Sequence, residues 1–300
     1  MISDSGDTYQ IVKHDLHWLI TFKAMASPCE IFVRCDTNSE AEQLASLAFA
    51  ETKRIETTYS RYRDDNIIYD INNSNGEATE IDEELFRLLT YAGQCYSLSD
   101  GLFDITSGVL RKAWRFDGTE FAPDENLIKT LIKIVGWDKV ELEGEFFRMK
   151  PGMQIDLGGI GKEYAVDRVA EMLFEHSGFP LLVNFGGDMR AITSEEEPIP
   201  WIVGIENPEK EKSAVGEIKL TNGGVATSGD LFRFCIVDGV RMGHILNPKT
   251  GWPVRHAPRN VTVLGSYCIE AGFLATLAIL QGSEAEQFLK SQNAVGHCIW

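Results

Sequence analysis

The chain has 300 residues, 44% hydrophobic and 10% aromatic, enough to bury a sizeable core as one large domain or two intimately packed halves. Its 28 basic and 45 acidic side chains leave a formal charge of −17, which repels phosphate backbones and argues against general nucleic-acid binding. A polar, acidic start and the lack of any run of about 18 apolar residues predict neither secretion signal nor membrane span, which points to the cytoplasm.

Taken in chain order, Trp18 to Arg34 alternates as an antiparallel pair, with Leu19, Phe22, Ile31 and Val33 as its apolar positions. Ser39 to Tyr59 reads as a helix, with Ser39 and Glu42 as its capping box. Asp82 to Ser97 repeats the helical spacing through Leu85, Leu88, Leu89 and Ala92. A short helix (Glu125 to Val135) and a hairpin turning at Glu143-Gly144 follow. Lys162 to His176 is amphipathic, and Pro180 to Asn184 is a short apolar strand running into Gly186-Gly187. Strands are expected at Trp201–Ile205, Gly216–Leu220, Phe232–Val237, Arg241–Ile245 and Asn260–Leu264, then a helix at Glu270–Leu280 and a last strand from Ala294. Hairpin-joined strands and separated helical blocks argue for an α+β fold with antiparallel sheets and packed helices. The six cysteines have neither disulfide nor zinc spacing and read as reduced thiols.

Four segments are dense in glycine and polar groups. Asp156-Leu-Gly-Gly-Ile-Gly-Lys162 precedes a helix, where free amides and the helix dipole suit a phosphate, although an ordinary strand-to-helix turn would read the same way. Asn184-Phe-Gly-Gly-Asp188 allows either close approach of a flat ligand or a tight turn. Ala226-Thr-Ser-Gly-Asp230 reads as a polar turn whose hydroxyls bind phosphate or cap the turn. Gly243-His-Ile-Leu-Asn-Pro-Lys-Thr-Gly251 is a rigid loop with His244 at its entrance, either a general base or a structural histidine. The other histidines read as surface or core residues, and Glu195-Glu-Glu197 as a solvated loop.

With Met25-Ala-Ser27, Ser60-Arg-Tyr62, Gly101-Leu-Phe-Asp-Ile-Thr106, Ile205-Glu-Asn-Pro208 and His244 through Pro253, these segments resemble, in order, the FAD:protein FMN transferase family, the ApbE-type flavin transferases. The resemblance runs from Trp18 to Gly282 and implies a two-lobed, T-fold-like architecture, with residues 1–300 as a single flavin transferase domain. It implies that Met25, Tyr62, Leu102, Phe103, Asp104, Asp156, Lys162 and Leu246 contact FAD. Gly186, Gly187, Thr227 and Ser228 join the expected cofactor-binding set. His244 falls where the family has its proposed base, which takes a proton from the Thr or Ser hydroxyl of an acceptor flavoprotein. That hydroxyl would attack the FMN phosphorus of FAD and release AMP, assisted by Mg²⁺ held by the Gly159 carbonyl and Thr276. The acceptor motif implied is Asp/Ser-Gly-Ala-Thr/Ser.

Departures from the family pattern at Gly272, Glu163 and Asn247 bear on the chemistry. Gly272 stands where the metal-binding Asp is expected, Glu163 where a Gly follows the lysine, and Asn247 replaces an Asp. Glu270, about 200° round the helix from position 272, is a replacement only if that helix begins late. The competing expectations are an FAD-binding protein with an impaired metal site, and an FAD pyrophosphatase in which water replaces the acceptor hydroxyl.

Overall fold

The computed structural model describes residues 8–194, 198–206, 213–230 and 233–300. The Glu195–Glu197 cluster, Asn207-Pro208 and the expected strand start at Phe232 lie outside the described residues. In chain order, strands β1 (Gln10–Lys13), β2 (Trp18–Ala24) and β3 (Ser27–Val33) precede helices α1 (Asn38–Tyr59) and α2 (Ile67–Asn73). Next come β4 (Thr79–Glu80), α3 (Glu83–Leu98), a 3-10 stretch (Ile105–Lys112), α4 (Glu125–Leu131) and the hairpin β5–β6 (Val140–Glu143, Phe146–Met149). Helix α5 (Gly161–Ser177) leads to β7 (Leu181–Phe185), β8 (Asp188–Ile192), β9 (Trp201–Glu206), β10 (Ala214–Leu220), β11 (Gly223–Gly229), β12 (Phe234–Val237) and β13 (Val240–Gly243). The chain closes with β14 (Asn260–Gly265), α6 (Cys268–Leu280), α7 (Ala285–Ser291) and β15 (Val295–Ile299).

These elements form two compact units, each drawn from separated stretches of chain. Unit 1 comprises residues 1–57, 161–227 and 262–272, and unit 2 residues 58–160, 228–261 and 273–300.

In unit 1 a sheet runs in the order β1-β2-β3-β7-β8-β11-β14, with antiparallel registers from β1 through β11. Strand periodicity puts Ile20, Phe22 and Ala24 of β2 in the core, so Leu19 lies on the other face, contrary to the grouping expected from sequence. Strand β7 is buried on both faces, which explains its unbroken apolar run. Leu182 packs with Trp201, Val203 and Leu220 of the β9–β10 hairpin, while α5 packs on β7 and β8.

Unit 2 is built around Val109, Leu110, Trp114, Ile128, Leu131, Val237 and Met242. The Trp114 indole N–H donates to the Gly251 carbonyl at 2.8 Å, and its ring stacks on Phe116 with centroids 5.8 Å apart. This pins the loop that follows His244 to the core.

Several boundaries differ from the sequence expectation. The α1 capping box is Thr37 with Glu40, not Ser39 with Glu42: the Thr37 N–H donates to Glu40 Oε2 at 2.9 Å and the Glu40 N–H to Thr37 Oγ1 at 3.3 Å. The segment read as a polar turn at Thr227-Ser228 lies in strand β11. Helix α6 begins at Cys268, earlier than expected, because Asp167 accepts the Cys268 and Ile269 N–H groups at 2.9 Å each. Glu270 accepts the Ser266 N–H at 2.9 Å at the front of that helix, which begins earlier, not later, than expected.

Candidate functional site

In unit 1 the turns at the ends of β2 and β7 carry the candidate residues. Met25 and Ala26 both have positive φ, 53° and 56°, the conformation of a two-residue hairpin turn that ordinarily favours Asn-Gly. Gly186 and Gly187 have φ of 60° and 96°, and a Cβ on Gly186 would lie 2.8 Å from Ser27 Cβ, so tight turning explains this glycine pair. Asn184 Oδ1 accepts the Gly187 N–H at 2.9 Å.

Lys162 reaches the Asp188 carboxylate at 2.8 Å. Burial pulls the Lys162 ammonium down, but Asp188 and then Glu163 outweigh it and leave its pKa raised. Asp188 also accepts the Thr227 N–H at 3.1 Å, and Thr227 Oγ1 lies 2.9 Å from Thr262 Oγ1. Thus Lys162 and Thr227 meet on one carboxylate, Asp188, which the sequence places in a motif without marking it as a site residue. Beside it, Glu163 is buried, and its Oε2 has no hydrogen-bond partner among the described residues. Burial, followed by the Asp188 charge, pushes the Glu163 carboxyl up to about 8.

In unit 2 Asp156 gathers two arginines that sequence reasoning missed. Arg61 Nη1 donates to it at 2.8 Å and Arg111 Nε lies 3.3 Å away, while the Gly158 N–H donates to the other oxygen at 2.9 Å. Arg61 also donates to the Gly108 carbonyl at 3.1 Å, and Arg111 to the Tyr62 hydroxyl at 3.4 Å. Gly108 allows this approach, since a Cβ there would lie 2.7 Å from Asp156 Cβ. Asp104 is buried and accepts from the Thr106 N–H and hydroxyl at 2.8 and 2.7 Å and from the Trp137 N–H at 3.1 Å. Leu102 is half-buried, whereas Phe103 is buried edge-on to Phe273 with centroids 5.4 Å apart. Gly159 packs on Phe103, whose ring would lie 3.2 Å from a Cβ at that position. Ser228 Oγ and Thr276 Oγ1 are 3.0 Å apart.

His244 lines a pocket of about 120 Å³ in unit 2 together with Asp230, Arg241, His256 and Arg259. Asp230 bridges Arg241 Nε and Arg259 Nε at 2.8 Å each. His244 Nδ1 is buried and has no partner among the described residues. Burial, then Arg233 and Arg111, lowers the imidazole to about 4. Leu246 bridges to Pro253 and packs on the Trp114 cluster, which fixes the loop beyond the histidine. His256, read from sequence as an ordinary surface or core residue, shares this pocket.

Each unit therefore gathers cations on a carboxylate, and unit 2 adds a buried imidazole whose Nδ1 has no partner among the described residues. The ApbE family profile matches residues 25–299. A FAD:protein FMN transferase of Klebsiella pneumoniae (strain 342) is 30% identical over 253 residues, covering 82% of this chain and 78% of that protein. One of the same description from Vibrio cholerae serotype O1 is 30% identical over 243 residues, covering 79% and 72%. The solved ApbE protein of Thermotoga maritima superposes with a TM-score of 0.84 at 29% identity, covering 96% of this chain and 93% of that one.

Proposed function

Because the chain belongs to the ApbE family, we propose that it transfers FMN from FAD to a threonine or serine hydroxyl of an acceptor flavoprotein, releasing AMP. The whole chain acts as one transferase domain in this reading. The observation that carries it is His244, an imidazole held neutral at pH 7 by burial, which lines the unit 2 pocket and whose Nδ1 has no partner among the described residues. A base depressed to about 4 is weak by itself. Part of the depression comes from Arg233 and Arg111, and the negative charge of an incoming pyrophosphate offsets those cations.

The acceptor hydroxyl gives its proton to Nδ1 as its oxygen bonds to the FMN phosphorus. The bond from that phosphorus to the bridging oxygen breaks, and AMP leaves with the electron pair. Arg61 and Arg111, aligned by Asp156, counter phosphate charge as it develops. Met25, Tyr62, Leu102, Phe103, Leu246 and the Gly186-Gly187 turn are proposed to shape the flavin site.

The family resemblance also implies a divalent cation, Mg²⁺, which when bound neutralises pyrophosphate charge. Two groups of unit 2 suit a hard cation: Thr276 supplies a hydroxyl 3.0 Å from Ser228 Oγ, and Gly159 a backbone carbonyl.

AMP release measured with and without an acceptor peptide carrying Asp-Gly-Ala-Thr tests this reading. Release only with the peptide supports transfer. Equal release without it would establish FAD hydrolysis instead, with water in place of the hydroxyl.

A further inference from the structure

We propose that Glu163 is the carboxylate that holds the divalent cation in this chain, reaching from α5 into the space left by the missing side chain of Gly272 on α6. Only the identity of that cation, as the Mg²⁺ of flavin transfer, rests on the reading above.

Three observations converge. First, Glu163 is only 9% exposed, and its Oε2 lacks a hydrogen-bond partner among the described residues. A buried carboxylate oxygen left unpaired is costly, and such groups are kept where a proton or a cation satisfies them. Second, the neighbouring cations are committed elsewhere. Lys162 lies 2.8 Å from Asp188, and Arg190 faces Asp167 at 3.6 Å. Asp188 is itself 2% exposed, so two buried carboxyl groups share the one ammonium of Lys162.

Third, the space is specific. A Cβ on Gly272 would lie 2.7 Å from Glu163 Cγ and 3.2 Å from its Cδ and Oε1. Whatever a side chain at 272 would present from α6, Glu163 presents from α5. An aspartate at 272 and a glutamate at 163 exclude one another sterically, so the two sequence departures form one exchange in which the carboxylate changes helix. The longer glutamate side chain makes up the reach. Carboxylate oxygen is the donor that Mg²⁺ and Mn²⁺ prefer.

The competing explanation is a permanently protonated Glu163 that shares its proton with Asp188. Mn²⁺ titration of the full-length protein, read by the EPR signal of the free ion with and without saturating FAD, separates the two. Wild type is expected to bind Mn²⁺, and the near-isosteric Glu163→Gln to weaken it by about tenfold or more, since even outer-shell changes cost about 10–100-fold. The exchange Glu163→Gly with Gly272→Asp is expected to restore binding to within about threefold of wild type, because a carboxylate returns from the other helix. Equal Mn²⁺ affinity in wild type and Glu163→Gln would overturn the proposal, as would a wild type that binds no Mn²⁺ even with FAD. Circular dichroism identifies a variant that fails to fold, in which case the remaining variant decides. The two readings fail separately: metal binding that depends on Glu163 without AMP release would leave this inference standing and remove the transferase, and transfer with Glu163-independent metal binding would do the reverse.

Discussion

Glu163 and Gly272 compete for one volume: a methyl group at 272 would stand 2.7 Å from Glu163 Cγ, well inside van der Waals contact. Both residues are buried, so the overlap is not relieved by swinging the glutamate into solvent. Gly272→Ala is therefore expected to destabilise the protein by about 1–3 kcal/mol, the usual cost of overpacking. Adding Glu163→Ala should recover much of that loss. Urea midpoints for the two single variants and the double variant give the coupling, and strict additivity would contradict the overlap.

The β2–β3 turn carries a strained pair in which Ala26 sits at φ 56°. A side chain in this conformation costs roughly 1–2 kcal/mol, and Ala26 is exposed, so nothing packed against it repays that cost. Ala26→Gly is expected to stabilise the protein by about 1 kcal/mol less the extra backbone entropy of glycine. The thermal midpoint should rise, and a fall would show that the turn is held by contacts other than its backbone.

Asp167 caps α6 through two N–H groups at 2.9 Å each. Burial raises its carboxyl to about 6, so it is ionised at pH 7 and then also faces Arg190. Asp167→Ala should cost about 1–2 kcal/mol by loss of the cap. Denaturant melts at pH 7 measure this directly.

His244 sets an expected pH profile. The folded imidazole stays neutral until about 4, whereas the unfolded one takes a proton near 6.5. Between those values the unfolded chain binds more protons, so the His244 contribution to stability is present above 6.5 and is lost as the pH falls toward 4. The value of kcat/KM, which reports the free enzyme, should hold through the ordinary imidazole range and fall only near the lower pKa. A limb at 6.5 would contradict a buried His244 with a depressed pKa as the base.

Helices with clean periodicity were legible in the sequence. Leu85, Leu88, Leu89 and Ala92 place α3, and Val166, Val169 and Leu173 place α5, because each set repeats at the helical turn and is buried. The Glu143-Gly144 turn marks its hairpin through the positive φ of Gly144. Strand β11, Gly-Gly-Val-Ala-Thr-Ser-Gly, was not legible, since glycine and hydroxyl residues read as a turn until β8 supplies its register partner. The α1 cap moved two residues because Thr37-x-x-Glu40 and Ser39-x-x-Glu42 satisfy the same spacing, and only the hydrogen bonds decide. Within the site, His244 and Asp156 were visible as motif positions. Arg61 and Arg111 carried no signal of their own, because the carboxylate that unites them is distant in sequence. Lys162 was legible as a cation, but its partner Asp188 was not, and Glu163 was visible only as a departure until the packing of α5 beside Gly272 gave it a place.

Flavin transfer through His244 would leave a covalent mark on the acceptor. Intact mass of an acceptor peptide bearing Asp-Gly-Ala-Thr, after incubation with the protein, FAD and Mg²⁺, tests it most directly. A mass gain equal to one FMN, on the threonine, is expected, and its rate should fall by about 10²–10⁴-fold in His244→Ala while FAD remains bound. An unmodified peptide beside a protein that still binds FAD, or transfer undiminished in His244→Ala, would contradict it.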